Sequence, residues 1–155
     1  MPIIFTNNLI AIAIYICVCI VLLPLNVAWE GAIWHDLIWE WGSRGIVFNW
    51  TAILVHTIVS LFLCFWAGKK FLRNTNNIGL NAISAVFLVI IIATIIFIFF
   101  DEPSPSRLEG LLVVPIYPIS ETISYFFHIK LKYCYLAISL LPSIAMWLGI
   151  VSKKI

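Results

Sequence analysis

The chain has 155 residues, 63% of them apolar and only 10% charged, with a formal net charge of +2. A soluble domain carries about 45–50% apolar and about 25% charged residues, so a core of this size cannot cover the apolar surface and lipid has to. The balance excludes an ordinary soluble domain, and no basic cluster interleaved with aromatics marks a nucleic-acid surface.

From Met1 to Trp29 no side chain is charged, and a first span is expected at 9–28. No Lys or Arg precedes it and no small-x-small site follows, which argues against a cleaved signal peptide. The next stretch, 45–68, reads GIVFNWTAILVHTIVSLFLCFWAG, 24 residues without formal charge and with His56 near its midpoint. At ~1.5 Å per residue it covers the ~30 Å hydrocarbon layer of a bilayer. It stops at Lys69, Lys70 and Arg73. A third span is expected at 78–100. A fourth, at 133–151, lies between Lys130 and Lys132 on one side and Lys153 and Lys154 on the other. The fold class that follows is an all-α integral membrane protein, one domain over 1–155 with four transmembrane helices.

Lysine and arginine favour the cytoplasmic side. With both termini inside, that side holds Lys69, Lys70, Arg73, Lys153 and Lys154, three of them packed into the short 69–78 connection. The outer side then holds Arg44, Arg107, Lys130 and Lys132 and all seven acids. An N-in, C-in bundle in a bacterial inner membrane is the expected placement, with a mitochondrial inner membrane as the alternative. The outer connections are the elaborate ones. In 29–44, WEGAIWHDLIWEWGSR, a helix would put Trp34, Leu37, Ile38 and Trp41 on one face and Asp36 and Glu40 opposite, the pattern of an interfacial segment. The other, 101–132, opens with DEPSPSR and continues LLVVPIYPI, too short and proline-rich to cross. It is too apolar to stay unfolded and is expected to form a structured outer cap or a partly re-entrant segment, ending in a short helix.

Helices in lipid meet through small and polar residues. At helical spacing these are Asn8, Ala11, Tyr15, Cys19 and Asn26 in the first span, and Asn49, Ala52, His56, Ser60, Cys64, Ala67 and Gly68 in the second. The third has Asn77, Asn81, Ser84 and Ala85, then a uniform aliphatic surface that suits lipid or a partner's helix. The fourth has Tyr135, Ser139, Pro142, Ser143, Met146 and Gly149, with Pro142 expected to kink it.

An ionisable side chain inside a span is a functional candidate by default, which singles out His56. No Asp, Glu, Lys or Arg lies within the four expected spans to pass a proton onward. A neutral imidazole bonded to Tyr15, Ser139 or a carbonyl would lock the helices, and His56, Tyr15, Ser60 and Ser139 form the candidate intramembrane polar set. The outer polar groups are Glu30, His35, Asp36 and Glu40 in one loop and Asp101, Glu102, Glu109, Glu121 and His128 in the other. Their spacing matches no metal motif, so neither metal nor cofactor is expected. Trp34, Trp39 and Trp41, with Glu30, His35, Asp36 and Glu40, are the candidate surface for a partner or ligand, because tryptophan is enriched among interface hot spots. Cys17, Cys19, Cys64 and Cys134 read as packing residues.

The expectation is a protein that is not an enzyme and that binds, within the bilayer, another integral membrane protein or a membrane-inserting ligand. An accessory subunit and an immunity or exclusion protein both fit. The plan of four spans with both termini inside is similar to that of immunity proteins against pore-forming colicins, a likeness of architecture that no motif carries. Two other classes stay open: a small oligomeric transporter or channel using His56 and the polar stripes, and a membrane enzyme acting outside through Glu30, His35, Asp36 and Glu40.

Overall fold

The computed structural model describes residues 3–29, 43–74, 85, 88, 92, 95 and 115–154. Among these residues every regular element is helical. In chain order they are α1 (Ile3–Trp29), α2 (Ser43–Phe71), α3 (Tyr117–Phe127), α4 (Leu131–Ile138) and α5 (Leu140–Val151), closed by a 3₁₀ turn at Ser152–Lys154. Three stretches are long and apolar enough to cross a membrane: Ile3–Leu25, Ile53–Phe71 and Lys132–Val151. Ala85, Leu88, Ile92 and Ile95 are also helical and lie on one face, buried at Ala85 and exposed by Ile95. The remainder of the expected third span lies outside the described residues.

The hub is α2, which touches α1, α3 and α5. Its closest neighbour is α5, and the reason is glycine. A Cβ built on Gly68 would stand 2.8 Å from the Cα of Met146, and one on Gly149 would stand 2.7 Å from the backbone nitrogen of Lys69 and press on the carbonyl of Phe65. Two backbones this close leave room for no side chain, the arrangement by which helices associate where apolar burial gains nothing over lipid. The contacts advance in the same direction along both helices, from Gly68 on Met146 to Leu72 beneath Lys153, so α2 and α5 run parallel. Helix α1 lies antiparallel to α2, with Asn7 beside Arg73, and fills the angle between α2 and α5. There Ala11, Tyr15, Val18, Cys19 and Leu22 form one core with Cys64, Leu72, Ala145, Met146 and Ile150.

Between α4 and α5 the helix breaks at Ser139, whose backbone N–H reaches back 2.8 Å to the carbonyl of Tyr135. Pro142 explains the position, since its missing N–H and its ring act on the carbonyl four residues back, that of Ile138. Helix α3 begins beside buried Pro115 and Ile116, carries Pro118 in its first turn, and ends at His128 in the left-handed conformation (φ 53°). That residue turns the chain within three positions into α4. The hairpin closes on an apolar cluster of Ile116, Tyr135 and Ile138, flanked by Ile119, Ile123 and Leu141.

Side chains facing away from these contacts are apolar, among them Val21 and Ile58, each 64% exposed. Aromatic–lysine belts mark both ends. At one, the Lys70 ammonium lies 4.9 Å from the Trp66 ring centre, and Trp66 meets Phe71 edge-on at 6.0 Å. At the other, Lys132 lies 5.7 Å from the ring centre of Tyr133, near exposed Phe126, Phe127 and Ile129. Lys70 stands level with Ile150, and from there back to Tyr133 is 17 residues. That is ~26 Å of helix, close to the ~30 Å thickness of a hydrocarbon layer.

Candidate functional site

Two polar constructions stand out. The first is a clamp where the start of α1 and the ends of α2 and α5 meet. Asn7 donates from Nδ2 to the carbonyl of Arg73 (2.8 Å) and accepts at Oδ1 from the Arg73 N–H (3.0 Å). The amide thus pairs with both backbone groups of one residue, as a neighbouring strand would. Lys153 donates from Nζ to the carbonyl of Leu72 at 2.6 Å. The last carbonyls of a helix have no partner within it, and here α1 and α5 supply partners to the chain leaving α2. Lys69 and Lys70 in the last turn of α2 complement the negative end of its dipole. The sequence stripe named Asn8. Its neighbour Asn7, 2% exposed, makes the clamp, and the core phase of α1 runs Asn7, Ala11, Tyr15, Val18, Cys19 and Leu22.

The second is a buried polar belt halfway along the bundle. The intramembrane set expected from sequence is all inside: Tyr15 is 2% exposed, Ser60 and Ser139 1% each, and His56 0%. Tyr15 lies beside Cys19 and Cys64 in the α1 core. His56 and Ser60 lie one turn apart on the buried face of α2, while Thr57 turns its hydroxyl back to the carbonyl of Ile53 (2.8 Å). Register places their neighbours. Ser60 precedes Gly68 by eight residues, and Ile138 precedes Met146 by eight on the parallel α4–α5 rod, so Ser60 stands level with Ile138 and Ser139. Ser120 and Ser139 stand nine residues either side of the Ile129–Lys130 turn, so the hairpin brings them level too. Three serines from α2, α3 and the α4–α5 break therefore share one level. Ser143 lies one turn farther toward the clamp, and His56 one turn the other way, level with Cys134 and Tyr135.

That level is ~14 Å from the hairpin turn, about half of a hydrocarbon layer. Within the belt, the hydroxyls of Ser60, Ser120 and Ser143 are buried and have no hydrogen-bond partner.

The tryptophan-rich surface expected from sequence, Trp34, Trp39 and Trp41 with Glu30, His35, Asp36 and Glu40, lies outside the described residues, as do Asp101, Glu102 and Glu109. His128 is exposed at the α3 terminus. Among the described residues no three His, Cys, Asp or Glu side chains come together as a metal site would need. Cys19, Cys64 and Cys134 are buried packing groups, whereas Cys17 faces outward on α1. No protein-family model, no curated protein and no solved structure matches the chain.

Proposed function

We propose that this is a polytopic protein of an inner membrane, with the clamp end cytoplasmic, that acts by binding another membrane protein or a membrane-inserting ligand. The observation that carries the reading is the division between faces. Tyr15, His56, Ser60 and Ser139 are sunk between helices, and the helices offer aliphatic and aromatic side chains outward, such as Leu54, Ile58, Phe62 and Trp66 along α2. The bases at the clamp end support its cytoplasmic placement. Accessory subunit and immunity or exclusion protein are the two forms of the proposal, with the 29–44 loop and its Trp34, Trp39 and Trp41 as the contact.

The test is extraction in mild detergent at native expression, followed by mass analysis of the intact particle. A fixed heteromeric complex, or one formed on adding a membrane-inserting toxin, is the expected result. A bare monomer or homo-oligomer under both conditions overturns the reading.

A second reading, transport through a homo-oligomer, draws on the buried hydroxyls of Ser60 and Ser143, since polar groups left without partners inside a bundle mark ion and substrate paths. His56→Ala then abolishes flux in proteoliposomes at unchanged folding, and unchanged flux contradicts it.

A further inference from the structure

Among the described residues, positive charge is concentrated at the clamp end. Lys69 and Lys70 close α2, Arg73 stands two residues past it, and Lys153 lies in the 3₁₀ turn after α5, all four exposed. No Asp or Glu occurs in 1–29, 41–100 or 122–155, the stretches that contain α1, α2, α4 and α5. Cations gathered without acids repel one another, so this end is complementary to an anion from outside the chain.

The clamp holds these cations in place. The peptide joining Leu72 to Arg73 is pinned at both edges: Lys153 Nζ donates to the Leu72 carbonyl at 2.6 Å, and the Arg73 N–H donates to Asn7 Oδ1 at 3.0 Å. Lys153 and the backbone of Arg73 therefore meet at one peptide group. An ammonium has three donors, so Lys153 keeps two for a further acceptor, and the guanidinium of Arg73 is a planar fork that matches phosphate oxygens. The Lys70 ammonium lies 4.9 Å from the ring centre of Trp66 and 5.5 Å from that of Phe71, which keeps it at the aromatic belt.

The α2 surface leading to these cations suits a lipid tail. Val55, Val59, Phe62 and Trp66 recur at intervals of four, three and four, the spacing of one helix face, and each is exposed. Lys69 and Lys70 follow Trp66 by three and four residues and so continue that face. From Val55 to Trp66 is ~16 Å of helix, about half of the ~30 Å hydrocarbon layer and so the reach of an acyl chain in one leaflet. An anion dissolved in water would use the cations alone, whereas one carried on an acyl chain uses the stripe as well.

We propose that the clamp end binds an anionic phospholipid, its phosphate held by Lys69, Lys70, Arg73 and Lys153 and one acyl chain laid along Val55, Val59, Phe62 and Trp66. The site is independent of the protein-partner reading.

The full chain, purified in uncharged detergent, is titrated with phosphatidylglycerol and separately with phosphatidylcholine, and the lipid retained is counted by mass analysis of the intact particle. Phosphatidylglycerol is expected to bind roughly tenfold or more tightly than phosphatidylcholine, and less so as salt is raised. Lys69→Gln and Arg73→Gln are each expected to weaken its binding roughly fivefold, and the two together roughly 25-fold. Both side chains are exposed, so both variants are expected to fold. Lys130→Gln with Lys132→Gln removes the same charge from the hairpin end and is expected to leave binding unchanged. The proposal is overturned if phosphatidylcholine binds as tightly, or if the hairpin-end pair weakens binding as much as the clamp-end pair. Displacement of the lipid by inorganic phosphate at the same concentration also overturns it, since the site would then be one for a soluble anion.

Discussion

Replacing Gly149 with alanine adds one methyl group where two helix backbones touch. In an uncrowded helix interior this change stabilises by ~1 kcal/mol through propensity alone. Here the new Cβ would lie 2.7 Å from the Lys69 nitrogen, about 0.7 Å short of the 3.4 Å at which ordinary contact begins, and closer still to the Phe65 carbonyl. Both obstacles are backbone atoms held in α2, so no rotamer change relieves them and α5 has to move away. Overpacking of this kind costs about 1–3 kcal/mol, and the same displacement loosens Met146 and Ile150 in the shared core. The net expectation is a loss of ~1–2 kcal/mol, opposite in sign to the propensity effect. Reversible unfolding in mixed micelles of rising SDS fraction reads this directly, with Ile144→Ala on the outer face of α5 as a control expected to cost less. Gly68→Ala behaves likewise. The double variant costs less than the sum, because helices already separated by one Cβ admit the second. A Gly149→Ala protein as stable as the parent, or more stable, refutes the close α2–α5 contact.

Asn7→Ala removes both hydrogen bonds to Arg73 and should cost ~1–3 kcal/mol, with faster hydrogen exchange at the Arg73 amide as the local signature. Unchanged exchange there means the clamp does not form. His128→Gly relieves a left-handed non-glycine residue at the end of α3 and should stabilise by ~1 kcal/mol in the same SDS titration; a loss would mean that the imidazole does more than tolerate its backbone. In detergent, Cys17 should react with a small maleimide while Cys19, Cys64 and Cys134 react ~10-fold or more slowly until the bundle is unfolded. Equal rates would contradict the buried faces of α1, α2 and α4.

Much of the bundle is legible in the chain because lipid imposes two simple rules. Apolar runs long enough to cross give α1, α2 and the α4–α5 rod. Small and polar residues at helical spacing then give the inner faces, which is why His56, Ser60, Cys64 and Gly68, and Tyr135, Ser139, Ser143, Met146 and Gly149, are all buried. Other features depend on tertiary placement. Asn7 and Asn8 are alike as a pair, and which one meets α2 is set by a backbone acceptor at Arg73 that leaves no mark on composition. Pro142 foretells a kink, and the break falls at Ser139 because proline acts on the turn before it. The packing of α3 along α4 follows from a three-residue turn at His128–Lys130, a pairing that hydropathy cannot report.

The measurement that tests the account most directly is the sidedness of the two ends of the bundle. In a background with Cys17, Cys19, Cys64 and Cys134 replaced by alanine, Lys70→Cys and Lys130→Cys are each probed with a membrane-impermeant maleimide on intact cells and again after permeabilisation. Lys130→Cys is expected to be labelled from outside and Lys70→Cys only once the membrane is opened. Labelling of both from the same side would show that the α4–α5 rod does not cross the bilayer, and the exchange of the two results would place the clamp end outside.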